Sequence, residues 1–329
     1  MGKVISMEQI PDKYMEDEEE AHKVRYASDF FQKVVDRIHN PEDDNSTRLP
    51  WRSGDEFRLR PSEVTVFAGI NGHGKSQLLS HIILSAMQQG DKAMIASMEM
   101  QPEATLERMS KQATAMATPS VEYLAEVHDW YDEKLWIYDH MGQTSPRKVL
   151  AVIRYSVEEL KVNHIVIDSL MKCGINPDDY NAQKRFVDRL CTYAKNHKCH
   201  IYLVHHARKS DSEKKLPDKF DIKGAGETVD LVDNAVICWR NKEKQEKLQN
   251  PLIEQDEREK LEKKPDCVMS VVKQRHGDGG EPKINLWFDA GSRQYIPRKN
   301  GRPVRYVDYS KEKQSGAVGD YSEAPALSC

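Results

Sequence analysis

The chain has 329 residues, 31% of them charged, and a formal net charge of -4. That length suits one large α/β domain with extensions, or two small domains, and the acidic balance excludes a surface that is basic all over, so any contact with nucleic acid would need local basic patches, concentrated by oligomerisation into a ring or groove. The six cysteines show no C-x-x-C spacing and lie mostly in apolar runs, which points to reduced, packed thiols; no apolar run approaches the ~18 residues of a membrane span.

The start of the chain has no signal-peptide core, and Met7 to Glu20 is too acidic for an organellar transit peptide, so a cytoplasm-like compartment with no membrane partner is expected. Residues 1–50 read as an extension with one short helix, in which Phe30, Phe31, Val34, Val35 and Ile38 form an apolar stripe. Such a helix cannot hold a core alone. Its stripe packs either on the main domain of its own chain or on a neighbouring subunit. Asn40 to Pro50 is polar and turn-rich, a linker, and the main domain is expected over residues 51–300.

The β-rich run Val64 to Ala68 leads into Gly69-Ile70-Asn71-Gly72-His73-Gly74-Lys75-Ser76, which reads G-x-x-x-x-G-K-S, and then into Gln77 to Leu84, apolar at helical spacing. Strand, glycine-rich turn and helix in that order make a phosphate-binding loop. The glycines let backbone N–H groups close on phosphate oxygens, and the helix points its positive end at the same anion. Gly69, Asn71, Gly72, His73, Gly74, Lys75, Ser76 and Gln77 are the expected cradle of a nucleoside triphosphate, with Lys75 on the β and γ phosphates and Ser76 on Mg²⁺.

Lys92 to Met98 reads as a strand ending in Glu99, a carboxylate placed in the crevice at the carboxyl end of a sheet, where it would act as general base on the attacking water. A helix over 102–117, a strand Leu135–Tyr138 and a helix from Ser145 to Leu160, capped by Ser145 with Pro146 in its first turn, follow. His164 to Ser169 is an apolar strand closed by Asp168, the Walker B pattern that reaches the magnesium shell. A loop from Met171 to Asp179, which carries Lys172, and a helix from Tyr180 to His197 lead to the strand His200–Val204. His205 and His206 leave its carboxyl end on opposite sides, which suits a polar sensor of the γ-phosphate better than a metal pair.

From Arg208 to Lys223 the chain is polar and strongly charged, either a solvated loop or one that grips phosphates. It ends in Lys223-Gly224-Ala225-Gly226, small enough to bring backbone N–H groups against a phosphodiester. A strand Ala235–Trp239 precedes an almost wholly charged excursion over 241–264, read as exposed helix with little chemistry. The next strand, from Cys267, puts Lys273 and Arg275 on one face at its end, before the turn His276 to Gly280 and the strand Lys283–Phe288. This hairpin is either an arginine-finger carrier or an edge with surface charges. Residues 301–329 read as a flexible polar tail.

Taken together, residues 51–295 resemble the RecA-type motor of DnaB-like replicative helicases, in the flavour of Twinkle and phage ring helicases. Ser97-Met98-Glu99-Met100 resembles that family's S-x-E-M, Ile165-Val166-Ile167-Asp168 its Walker B, and His206-Ala207-Arg208-Lys209 its H-P-R-K. Asp221 to Gly226 resembles the DNA-gripping loop and Lys273-Gln274-Arg275-His276-Gly277 the K-Q-R-x-G segment. The resemblance implies an α/β, RecA-like P-loop NTPase with a doubly wound, mostly parallel sheet, helices on both faces and a C-terminal β-hairpin. It implies ATP and Mg²⁺ as cofactors and 5′ to 3′ travel on single-stranded DNA. Glu99 would activate water and His206 would sense the γ-phosphate. Lys273 and Arg275 would enter the neighbouring subunit's ATP site, hence a homo-oligomer, a hexameric ring. Lys172, Arg208, Lys209, Lys223, Gly224 and Gly226 are the expected DNA contacts, although the loop lacks the family's Arg-Glu pair at Lys223-Gly224. With no primase or separate amino-terminal domain in the chain, priming and loading fall to other proteins, in a prokaryotic cell or phage-infected host. Two rivals share the phosphate loop: a RecA-like recombinase, and a non-hydrolysing P-loop switch or helicase loader, the latter disfavoured by Glu99 and Arg275.

Overall fold

The computed structural model describes residues 3–5, 26–39, 45–176, 178–206, 216, 225–276 and 280–310. Its strands are β1 (Lys3–Ile5), β2 (Thr47–Arg48), β3 (Arg58–Leu59), β4 (Val64–Gly69), β5 (Ala93–Ser97), β6 (Leu135–Tyr138), β7 (His164–Asp168), β8 (His200–His206), β9 (Asn234–Arg240), β10 (Cys267–Gln274), β11 (Lys283–Phe288) and β12 (Tyr295–Ile296). Its helices are α1 (Phe31–His39), α2 (Lys75–Gln88), α3 (Pro102–Thr114), α4 (Val121–Tyr131), α5 (Pro146–Glu158), α6 (Tyr180–His197), α7 (Ala225–Leu231), α8 (Lys242–Gln249) and α9 (Gln255–Lys263).

Alternating apolar strands and helices build one sheet of ten strands in the order β1-β6-β5-β7-β8-β4-β9-β10-β11-β12. The pairs from β1 to β9 are parallel, and β10, β11 and β12 join antiparallel. The strands β4, β5 and β7 are buried along their whole length, which is why they read as unbroken apolar runs. One face of the sheet packs on α5 and α6 through Val149, Leu150, Ile153, Phe186 and Leu190. The other packs on α2, α3 and α4 through Leu78, Ile82, Met109, Tyr123 and Tyr131. The expected doubly wound α/β fold with its terminal hairpin is the observed one.

Three features differ from the expectation. The domain begins before Trp51: Thr47 and Leu49 are buried, and Thr47 Oγ1 lies 3.0 Å from His164 Nε2. It also continues past residue 300, because Tyr306 and Val307 are buried, Tyr306 N donates to Ala113 O at 2.9 Å, and Tyr309 stacks on Tyr123 at 4.8 Å. Residues 301–310 are therefore part of the folded domain rather than a tail. The helix α4 has no counterpart among the expected elements. It opens on Ser120, whose side chain accepts from Tyr123 N, and buries Tyr123, Val127 and Tyr131, one every turn. In the charged excursion, Lys244 is buried and its ammonium donates to Asp266 Oδ1 at 2.7 Å and to Lys264 O at 2.6 Å, which anchors α8 to the sheet.

The apolar stripe of α1 is largely open to solvent among the described residues: Phe31, Val34 and Ile38 are exposed, the last at 66%, and Val35 is half-buried. No helix among the described residues is long and apolar enough to cross a membrane. Cys173, Cys191, Cys199, Cys238 and Cys267 are free and buried.

At the amino end of the central strands Glu63 is buried, and its Oε2 accepts from Asn234 Nδ2 at 2.8 Å. Glu63 Oε1 and Asn234 Oδ1 have no donor among the described residues, an arrangement that a proton on the carboxyl would satisfy. Burial lifts the Glu63 pKa from 4.5 to about 7, with the Asn234 hydrogen bond opposing. A raised carboxyl pKa means that the folded chain holds a proton the unfolded chain has released, so stability falls as pH rises from about 4.5 to 7 and stays reduced above it, by roughly 3 kcal/mol. Glu63→Gln is accordingly expected to raise the melting temperature by several degrees at pH 8, with a gain that shrinks steadily toward pH 5. Calorimetry at several pH values checks this, and a gain independent of pH would show that the carboxyl does not titrate.

Candidate nucleotide-hydrolysis site

The phosphate-loop sequence leaves the carboxyl end of β4, between β8 and β9, and turns into α2. Gly74 has φ +82°, and a Cβ there would overlap the Tyr295 hydroxyl; at Gly69 a Cβ would lie 2.5 Å from Cys238 O. The loop is tied to the sheet beneath by His73, which is fully buried and whose Nδ1 accepts from Arg240 N at 3.1 Å. Lys75 is buried as well, its ammonium donating to Gly69 O at 2.8 Å and Ile70 O at 3.2 Å. Burial lowers its pKa from the usual ammonium range, while Asp168 and Glu99 pull it back up.

Ser76 donates its hydroxyl to Asp168 Oδ2 across the gap between α2 and β7. Burial raises the Asp168 pKa, the Glu99 charge adds to the rise, and the Ser76 hydrogen bond and Lys75 oppose it. A desolvated carboxylate beside a hydroxyl is an oxygen donor set that a hard divalent cation takes, and the cation's charge would offset the desolvation. The residues present thus fit Mg²⁺.

Glu99 stands just past the end of β5, and its Oε1 accepts from Ser169 Oγ at 2.9 Å. His206, the last residue of β8, places Nε2 3.5 Å from Ser169 Oγ and 3.9 Å from Glu99 Oε1. Burial lowers the His206 pKa and Lys75 adds to this, while Glu99 opposes it. Its neighbour His205 turns the other way and is buried at 5% exposure, the alternation expected of an extended chain. Lys75, Ser76, Glu99, Asp168 and His206 line one crevice of about 490 Å³. Residues read from separate segments of the sequence therefore converge at the carboxyl ends of four adjacent strands.

Several groups in that crevice go beyond the expected set. Arg108, on the second turn of α3, is half-buried, with its Nη1 3.3 Å from Met100 Sδ and its pKa lowered by burial. Arg293 and Tyr295 arrive from the chain after β11, and Gln77 Nε2 donates to Arg293 O at 2.7 Å. Arg240 and Gln245, joined by Arg240 Nε to Gln245 Oε1 at 2.9 Å, bring the first helix of the charged excursion to the same wall. Ser169 enters the sequence reading only as the residue closing the Walker B run. Its place after Asp168 is the available signal.

Lys273 and Arg275 are not brought to this crevice. Because β10 runs antiparallel to β9, Gln274 is level with Asn234, which is level with Thr65 at the amino end of β4. The phosphate loop starts at the other end, roughly 17 Å away at ~3.3 Å per residue. Of the expected DNA contacts, Lys172 is half-buried on the turn after β7, and Gly226 is in the first turn of α7. Arg208, Lys209, Lys223 and Gly224 lie outside the described residues.

Residues 40–212 match the AAA domain family. The Twinkle homolog protein, chloroplastic/mitochondrial, of Arabidopsis thaliana is 24% identical over an alignment of 243 residues that covers 65% of this chain and 33% of that protein, so the chain spans about a third of its relative's length. Among solved structures, a DnaB-like replicative helicase described with its interactions with primase superposes with a TM-score of 0.64 at 13% identity, over 83% of this chain and 67% of that one. A second solved structure, an isolated ATPase domain, gives 0.62 at 15% identity, over 83% and 99% respectively.

Proposed function

Because the chain belongs to the AAA domain family and carries the fold of helicase ATPase domains, we propose that it is an ATP-hydrolysing replicative DNA helicase of the DnaB type, a homo-oligomeric ring that travels on single-stranded DNA. One observation carries this reading. The hydrolytic groups stand at the carboxyl ends of the strands and Lys273 and Arg275 at the opposite ends, far from their own phosphate loop, which supports a role for the two cations at the triphosphate of an adjacent subunit.

In each site Lys75 would hold the β and γ phosphates, and Ser76 and Asp168 would hold Mg²⁺, whose charge would offset that of the phosphate oxygens. Glu99, steadied by Ser169, takes the proton of the attacking water. The imidazole of His206 donates to the γ-phosphate and reports its loss to the chain that follows β8. Lys273 and Arg275 of the next subunit stabilise charge on the transferred phosphoryl. The exposed side chains of Phe31, Val34 and Ile38 on α1 support the same assembly, since an apolar stripe open to solvent suits a neighbouring subunit. Six subunits in a ring, 5′ to 3′ travel, and a primase and loader supplied by other proteins follow from the resemblance to DnaB-like helicases.

The test is the hydrolysis rate with and without single-stranded DNA, measured alongside particle mass. A monomer that hydrolyses at full rate and ignores DNA would refute the reading. Lys209→Ala and Lys223→Ala are each expected to weaken oligonucleotide binding and to reduce the slope of log affinity against log salt by about 1, while hydrolysis without DNA survives. Fluorescence anisotropy over a salt series checks this, and unchanged slopes would remove that loop from the strand path.

A further inference from the structure

The two cations at the far edge of the sheet share one seat. Lys273 Nζ donates to the carbonyls of Val229 and Asp230 at 2.7 and 3.0 Å. Arg275 Nη2 donates to those of Asp230 and Leu231 at 3.1 and 3.5 Å. These are the closing carbonyls of α7, groups that lack a helical N–H partner and carry the negative end of the helix dipole. The third support is Asp233, whose Oδ1 lies 3.3 Å from Arg275 Nη1.

Asp233 has little freedom of its own. It is 1% exposed, its Oδ2 accepts from Val64 N at 3.0 Å, and its backbone carbonyl accepts from Arg275 N at 3.0 Å. The guanidinium is thus gripped on one side by a fixed carboxylate and on the other by a helix end. The helix is in turn packed into the core: Val229 and Val232 are buried in the cluster that holds α6. A shift of α7 therefore moves the carbonyls under both cations together. The same helix carries Gly226, an expected DNA contact, in its first turn.

We propose that α7 and Asp233 form a positioning seat that couples the two ends of the cycle: single-stranded DNA bound by one subunit displaces α7, and α7 carries Lys273 and Arg275 toward or away from the neighbouring subunit's nucleotide. The proposal rests on the assignment of those cations to the neighbour's site. Asp233 and the α7 carbonyls are positioning groups and touch no nucleotide.

Asp233→Asn keeps the shape and the acceptor for Val64 N and removes the charge that holds Arg275. In the full-length oligomer it is expected to lower the DNA-stimulated kcat about tenfold, the scale of a sub-ångström misplacement of a reacting group, with the KM for ATP unchanged because the phosphate loop is at the other end of the sheet. A seat acts only through its occupant, so Arg275→Ala with Asp233→Asn is expected to be no slower than Arg275→Ala alone. Multiplying losses would overturn the proposal by showing a general structural role. An Arg275→Ala enzyme at full speed would refute the assignment of the cations and the seat with it, whereas a crippled Arg275→Ala beside a fully stimulated Asp233→Asn would overturn the seat alone. If Asp233→Asn does not fold, hydrogen exchange on the unaltered protein decides. An oligo-dT strand is expected to change protection of residues 225–233 and 267–276 together; a change confined to one segment, or none in either, overturns the coupling.

Discussion

Replacing Arg275 by Ala is expected to lower DNA-stimulated ATP hydrolysis by about 10³-fold or more, the range measured for arginine fingers that stabilise a transferred phosphoryl group. The KM for ATP should change far less than kcat, because the residue makes its contact to charge that develops in the transition state. The decisive measurement mixes subunits. An Arg275→Ala subunit still has Glu99, and a Glu99→Gln subunit still has Arg275, so a random one-to-one mixture creates about one complete interface in four if the site is shared between neighbours. Steady-state hydrolysis should then recover from near zero in either pure variant to a measurable fraction of the unaltered rate. A mixture as inactive as its components would place Arg275 outside the shared site.

Glu99→Gln is the second large effect. Removal of a positioned general base costs roughly 10² to 10⁴ in rate, and the amide keeps the size and the hydrogen bond from Ser169 Oγ that holds Glu99 Oε1 at 2.9 Å. ATP binding should survive, since Lys75 and the Ser76–Asp168 pair are untouched. The expected product is an ATP-loaded oligomer that binds single-stranded DNA tightly and does not release it. Single-turnover hydrolysis and filter binding separate the two properties. Loss of ATP affinity equal to the loss of rate would assign Glu99 to binding instead of to proton transfer.

The hydrolytic half of the site was legible because each part is local. A phosphate loop is a run of eight residues whose glycines have backbone reasons to be there, and Gly74, with φ +82° and the Tyr295 hydroxyl beside it, bears this out. Glu99 and Asp168 stand out by their place after apolar strands, since parallel strands put such residues at one edge. The unexpected parts were illegible for equally physical reasons. The segment 301–310 has isolated apolar residues at no regular spacing, and Tyr306 and Val307 are held by α2, α3 and α4, about 200 residues earlier, through His81, Ala113 and Tyr123. Arg108 and Gln245 lie on polar helix faces that differ in no way, in sequence, from solvated ones. Only the packing of α3 and α8 against the sheet turns them to the crevice.

The amino-acid sequence alone determined most element types, α4 excepted, together with the parallel sheet, the phosphate loop and the strand-end carboxylates, because apolar period and glycine placement act over a few residues. Tertiary structure decided at which end of the sheet each charge stands. The antiparallel pairing of β10 on β9 sends Lys273 and Arg275 away from their own phosphate loop and onto the end of α7. Strand direction is set by pairing between distant segments, and nothing in the spacing of Lys273 and Arg275 along the chain could have specified it.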